Sequence, residues 1–208
     1  MRMDRAGIPF VAGALVPAVV LVALGWTILA AGCAVLGVAL ALFFRDPDRR
    51  VPAEPDVVVS PADGRVVVAG DPQPGAAPPG DWQQGSVFLS PLDVHVNRIP
   101  VSGRILSVEY RPGRYRPAYD EAATTENERN ELRLDHGGVE LVLRQITGVL
   151  VRRVVCRVRP GEAVESGQRF GVMKFGSRID LFLPRAARVL VRPGDRVRGG
   201  ESIIARLS

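Results

Sequence analysis

No charged residue occurs between Ile8 and Phe44, a run of 37 positions. One helix needs roughly 20 apolar residues to cross a bilayer core of about 30 Å. A single straight helix over the whole run would be about 55 Å long at 1.5 Å per residue. Two short helices folded back on each other fit better, with Pro17 and Gly25 as candidate break points. Arg2 and Arg5 precede the run, and Arg45, Arg49 and Arg50 follow it. Basic residues on both flanks place both ends on the cytoplasmic side. One long tilted span and a cleaved secretory signal are the competing readings. A signal's apolar region covers only about 7–15 residues. The expectation is a membrane anchor over residues 1–44, a helical hairpin in the cell (inner) membrane, with the rest of the chain on the cytoplasmic face.

The remainder is basic. Net charge is +5, and Lys174 is the only lysine among 27 basic residues. Residues 45–208 hold 25 basic and 21 acidic side chains, a balance of about +4. A basic body beside a bilayer is drawn to anionic lipid head groups. Nucleic acid is the rival partner for a basic protein. With 6% aromatic residues and no long basic run interleaved with them, that reading is set aside. Cys33 and Cys156 have no metal-ligand spacing and are too few for a disulfide framework.

Residues 45–55 read as a Pro-rich linker, and 56–208 as β structure. Short apolar runs recur at 57–60, 65–70, 86–96, 103–110, 139–146, 149–158, 179–184 and 187–193. Many short strands between Gly and Pro turns indicate a sandwich or barrel. Two loops interrupt them: Asp71 to Gly85, rich in Pro, Gly and Gln and expected as mobile surface, and Arg111 to Asn130, long and polar. Loops of that length are often functional or disordered. A repeat is also present: RPGEAVESGQRFGVM at 159–173 aligns with RPGDRVRGGESIIAR at 192–206. Each copy reads as a Pro-Gly turn, a buried Val, then a Gly turn into the next strand. The pattern is similar to the hairpins of lipoyl- and biotinyl-type barrels, so the expected fold is mainly β, a barrel of that kind or a sandwich behind a helical anchor.

Three stretches hold the residues able to do chemistry. Ser60-Pro61-Ala62-Asp63-Gly64 is, alone, a turn. In Ser90-Pro91-Leu92-Asp93-Val94-His95-Val96-Asn97-Arg98, His95 alternates with apolar residues and by default is structural. The other histidine, His136, lies in a polar turn, so acid/base work near neutral pH falls to His95. In Phe175-Gly176-Ser177-Arg178-Ile179-Asp180, Gly176 lacks a Cβ and leaves its carbonyl open to the Ser177 hydroxyl.

Together these stretches resemble the short-form phosphatidylserine decarboxylase proenzymes. The resemblance runs through the apolar anchor, SPADG, SPLDVHVNRIPVSG, ENERN, TGVLVRRVVC and GVMKFGSRIDLFLP. It implies self-cleavage at Gly176–Ser177 into a β chain, 1–176, and an α chain, 177–208, held together as a heterodimer. It also implies a pyruvoyl group made from Ser177 as the only cofactor, with no PLP and no metal. That carbonyl would form a Schiff base with the serine amine and take up the electrons left by carbon dioxide, yielding phosphatidylethanolamine. His95, oriented by Asp63, would serve as base. Lys174 and Arg178 are weaker candidates to meet a phosphate or carboxylate, and Asn127 and Arg129 of ENERN are expected to border the site. Longer family members carry a second histidine three residues after the first; Arg98 stands there in this chain, so His95 has to serve both processing and turnover, or processing relies less on a histidine. A related serine-bearing ether lipid is an alternative substrate. A non-enzymatic lipoyl-like carrier modified on Lys174 is the rival from outside the enzymes, and a homo-oligomer is compatible with either.

Overall fold

A computed structural model describes residues 2–149, 154–174 and 177–207. The chain divides into two compact units, Met1–Asp48 and Arg49–Ser208.

The first unit is helical. A short strand β1 (Arg2–Met3) pairs with β2 (Arg45–Asp46), and between them run α1 (Ile8–Ala23) and α2 (Thr27–Phe43). The chain turns between the helices at Gly25, whose φ of 79° lies in the left-handed region that glycine tolerates. Pro17 is carried inside α1. Apart from Phe43 at the end of α2, the buried positions of the two helices are small: Ala14, Ala18, Ala30 and Gly37. A Cβ on Gly37 would stand 2.5 Å from the Leu15 side chain, so the backbones approach where a side chain is missing. Arg5–Ala23 is long and apolar enough to cross a membrane; Thr27–Phe43 is shorter.

The second unit is mainly β. Its strands are β3 (Val57–Val59), β4 (Gly64–Gly70), β5 (Trp82–Leu89), β6 (Val96–Arg98), β7 (Gly103–Arg111), β8 (Arg129–His136) and β9 (Val139–Ile146). They continue with β10 (Val154–Cys156), β11 (Ala163–Val164), β12 (Arg169–Met173), β13 (Ser177–Pro184), β14 (Arg188–Val189), β15 (Arg196–Val197) and β16 (Ile203–Arg206). A one-turn helix, α3 (Ala123–Glu126), precedes β8. The main sheet runs β11-β7-β8-β9-β13-β5-β4-β15; two three-stranded sheets, β10-β12-β6 and β14-β16-β3, share its core. Among the described residues no sheet closes into a barrel.

Register sorts the main sheet into two faces, because successive strand residues point to opposite sides. Ser177, Ile179, Leu181 and Leu183 share one face with Leu141, Leu143, Leu132 and Leu134, and these leucines and isoleucine belong to the main core. Arg178, Asp180 and Phe182 share the other with Arg144, Val142, Arg129, Glu131 and Arg133.

Two expectations are revised. The 71–85 stretch is not a surface loop throughout: Trp82 to Gly85 belong to β5, and Ala76 is buried against Trp82, Val142 and Phe182. The 86–96 run is broken by a turn at 90–93, where Asp93 N–H bonds Ser90 O and Ser90 N–H bonds the Asp93 carboxylate. Of the strand expected at 149–158, residues 150–153 lie outside the described residues, and β10 covers Val154–Cys156.

The sequence repeat is a structural repeat, and its partners repeat as well. Gly161 N–H bonds Ile105 O and Gly194 N–H bonds Val66 O; Ile105 N–H bonds Glu162 O and Val66 N–H bonds Asp195 O. Gly167 N–H bonds Ile99 O where Gly200 N–H bonds Ser60 O. Val164 lies opposite Gly103, and Val197 opposite Gly64. Both glycines are required by close approach: a Cβ would stand 2.2 Å from Asp135 O at Gly103 and 2.1 Å from Phe88 O at Gly64. The stretches 60–64 and 99–103 are thus two copies of one turn.

Candidate active site

Ser177 opens β13 and pairs with Leu89 of β5. It is fully buried, and its Oγ has no hydrogen-bond partner among the described residues. A buried hydroxyl left unpaired costs about 1–3 kcal/mol. Gly176, the expected source of the attacked carbonyl, lies outside the described residues, as does Phe175.

His95 sits just before β6, and its carbonyl accepts from Met173 N–H at 3.1 Å. It therefore stands across from the last residue of β12, four positions before Ser177. Only 1% of it is exposed. Nδ1 is 2.9 Å from Asp93 O. A carbonyl can only accept, so Nδ1 carries a proton and donates it to Asp93 O.

Asp63 is mostly buried in the turn before β4. Its Oδ1 accepts from Gly199 N–H at 2.8 Å and its Oδ2 from Arg49 at 2.7 Å. Burial pushes its carboxyl above the ordinary aspartate value, against the pull of Gly199 N–H and the Arg49 guanidinium. Those two groups, and not the His95 ring, are the bonded partners of its carboxylate.

Lys174 follows β12 and is half-buried, three residues before Ser177. Arg178 is 1% exposed, with Nε on Asp180 at 2.6 Å and Nη2 on Gln73 at 2.6 Å and Ser86 at 3.0 Å. Thr124 bonds the second Asp180 oxygen at 2.5 Å. The Arg178–Asp180 pair therefore ties both loops singled out in the sequence to the sheet, Arg178 through Gln73 and Asp180 through Thr124. Asn127 does similar work: its side chain bonds Arg116 N–H, Arg116 O and Thr147 O. Sequence reasoning missed one buried pair, Gln145 Nε2 donating to Asn97 Oδ1 at 2.8 Å, with Gln145 Oε1 and Asn97 Nδ2 unpartnered among the described residues. Gln145 lies opposite Ile179 on the Ser177 face, a diagonal neighbour of the serine. Asn97 shares its strand parity with His95, which is the signal that would have found it.

The family model described as phosphatidylserine decarboxylase matches residues 36–205. The chain belongs to the phosphatidylserine decarboxylase family. Three relatives are each named phosphatidylserine decarboxylase proenzyme. That of Pelodictyon phaeoclathratiforme is 44% identical over 164 residues, 79% of this chain and 77% of the relative. That of Geotalea uraniireducens is 41% identical over 202 residues, 97% and 94% of the two chains. That of Mycolicibacterium smegmatis is 40% identical over 210 residues, 99% and 90%.

In this phosphatidylserine decarboxylase family member, Arg98 is 4% exposed and its Nη1 donates to Gly167 O at 3.0 Å. The position thus joins the Asp63 turn to the first repeat: Arg98 N–H bonds Pro61 O while its side chain reaches Gly167. Ser177 fits a group made from its own side chain, since its Oγ is enclosed and committed to no bond among the described residues.

Proposed function

We propose that this chain cleaves itself at Gly176–Ser177 and then decarboxylates phosphatidylserine to phosphatidylethanolamine at the new residue 177. The observation that carries the reading is the buried Oγ of Ser177, unpartnered among the described residues, at the head of a central strand. In the cleavage, Oγ loses its proton to a base and attacks the Gly176 carbonyl. The Gly176–Ser177 C–N bond breaks as the ester forms. Loss of the Ser177 Cα proton then expels the Gly176 carboxylate from Cβ, and hydrolysis releases ammonia and leaves a keto group. His95, with Nδ1–H held by Asp93, presents Nε2 as the proton acceptor. Asp63, kept partly desolvated, is the second acceptor.

Residue 177 would hold the pyruvoyl group, whose carbonyl would serve as the electron sink for the substrate amine's decarboxylation. His95 then returns a proton to the substrate Cα. The buried face around Ser177 keeps water from that carbon.

The α chain, 177–208, stays bound after cleavage because β13 is paired on both sides, by β5 and β9. Ile179, Leu181, Phe182 and Leu183 are each no more than 1% exposed. Burial of such side chains is worth about 1.5–3 kcal/mol each. The apolar Arg5–Ala23 helix supports a membrane location, with the catalytic unit on the cytoplasmic face and an anionic bilayer as its partner. Likeness of the repeated RPG hairpins to lipoyl-type domains remains part of this reading.

The test is an intact-mass spectrum of the purified wild type beside Ser177→Ala. Two fragments, 1–176 and a 177–208 piece carrying a pyruvoyl terminus, are expected from the wild type, and one uncleaved chain from the variant. A variant cleaved like the wild type overturns the proposal.

A further inference from the structure

The two loops that stood out in the sequence enclose a cavity on the sheet face opposite Ser177. Its volume is about 280 Å³, at the small end of ligand sites. The sheet contributes Arg111, Arg129, Arg133 and Arg144, with Glu131 as the one carboxylate in the lining. Thr124 and Thr125 close one side, and the backbone of Gly75 to Pro79 the other.

Four guanidinium groups against one carboxylate is a surplus of three positive charges. Glu131 inside the lining, and Glu140 and Glu109 outside it, absorb part of the charge. Arg144 Nε donates to Glu131 at 2.6 Å, and Arg133 Nη1 to Glu140 at 2.6 Å. Arg111 bonds Glu109 at 3.1 Å and stands 3.8 Å from Glu131. Arg129 has no carboxylate partner among the described residues. Its Nη1 donates only to the carbonyls of Thr125 and Asn127, and its Nε is buried with no partner. Burial, then Arg144 and Arg111, push its pKa down, and the weaker pull of Glu131 and Asp180 offsets this only in part. An oxyanion between these forks would take charge-assisted bonds from donors already in place.

We propose that this cavity binds a phosphate group, either free or on a lipid head group, at a site separate from the reacting residue 177. It stands apart from the decarboxylation reading, since binding is expected equally in the uncleaved Ser177→Ala chain.

The experiment uses the full chain in nonionic detergent, titrated calorimetrically with inorganic phosphate and with a soluble short-chain phosphatidylglycerol, against sodium chloride of matched ionic strength. Saturable binding of one or both is expected, weakened about tenfold or more in Arg129→Gln. Thr125→Asp sets a negative charge at the cavity wall from an exposed position, and is expected to weaken binding as much should Arg129→Gln fold poorly. Binding of free phosphate that competes with the lipid assigns a soluble ligand. Binding of the lipid alone assigns the head group. Heats no different from chloride, or binding equal in wild type and both variants, overturn the proposal.

Discussion

Asp63 and Ser102 hold the same position in two copies of one turn. Ser102 Oγ accepts from Ser166 N–H at 2.9 Å, and Asp63 Oδ1 accepts from Gly199 N–H at 2.8 Å. Residues 166 and 199 correspond in the repeat, and each turn ends in a glycine packed against a backbone carbonyl. One copy does this structural work with a neutral hydroxyl. The fold alone therefore does not need a carboxylate at 63.

Asp63→Ser tests that argument. The serine takes up the Gly199 bond as Ser102 does at its own site, and Arg49 keeps Glu201 at 3.2 Å. Loss of the Arg49–Asp63 bond costs about 1.5–3 kcal/mol. The variant is expected to fold, while self-cleavage slows roughly a hundredfold or more. Denaturing gels of the freshly made chain read this directly, and cleavage at the wild-type rate would return Asp63 to the status of a turn residue.

The raised pKa of Asp63 gives a pH dependence. A base works deprotonated, so the acid limb of self-cleavage lies above pH 3.8, the ordinary aspartate value. Arg49 pulls that pKa down. Arg49→Gln removes the pull and is expected to move the limb to higher pH. The stability sign follows from the same shift: between 3.8 and the folded-state value the folded chain holds a proton that the unfolded chain has released. This group's contribution to stability therefore falls as pH rises through that window. Cell-free synthesis followed by a pH jump, with cleavage timed on gels, checks the limb; an unmoved limb in Arg49→Gln would separate Asp63 from the rate.

Arg178 offers a test of structure against binding. Asp180→Ala leaves a guanidinium that is 1% exposed without its carboxylate, and a destabilisation of about 3–5 kcal/mol is expected in thermal melts. Replacing both, Arg178→Met with Asp180→Leu, removes the charges together and is expected to recover most of that loss. Turnover retained in the double variant fits a strut. A folded double variant that has lost turnover would make Arg178 a substrate contact.

Much of this was legible from pattern. The uncharged run read as two helices, and apolar runs marked β3, β4, β7, β9 and β13, because β-branched clusters between Gly and Pro turns have few other solutions. The β8 strand went unread although Leu132 and Leu134 alternate with Glu131, Arg133 and Asp135. Its second face is charged and half-buried, with Glu131 buried among arginines, so ion pairs took the place of the apolar residues that usually reveal a central strand. Arg178 was legible as a candidate but not as a strut, since its partners Gln73 and Ser86, and the Thr124 that bonds its carboxylate Asp180, come from three distant segments. The doubled turn at 60–64 and 99–103 was hidden because Ser-Pro-Ala-Asp-Gly and Ile-Pro-Val-Ser-Gly share only Pro and Gly. Backbone hydrogen bonds carry most of that likeness, and the one side-chain bond that repeats is made by two different residue types, Asp63 and Ser102.

His95→Asn separates the two nitrogens of the ring. The asparagine amide can donate to Asp93 O as Nδ1 does at 2.9 Å, so the turn before β6 is kept. Nothing then stands where Nε2 held its lone pair. If Nε2 is the proton acceptor, His95→Asn folds with a melting point near that of Ser177→Ala but remains uncleaved, and externally added imidazole restores part of the cleavage. His95→Gln places an amide near the Nε2 position without basicity and is expected to fail equally. Wild-type cleavage in either variant would take His95 out of processing. Turnover measured on the cleaved protein would then decide whether it still delivers the proton to Cα.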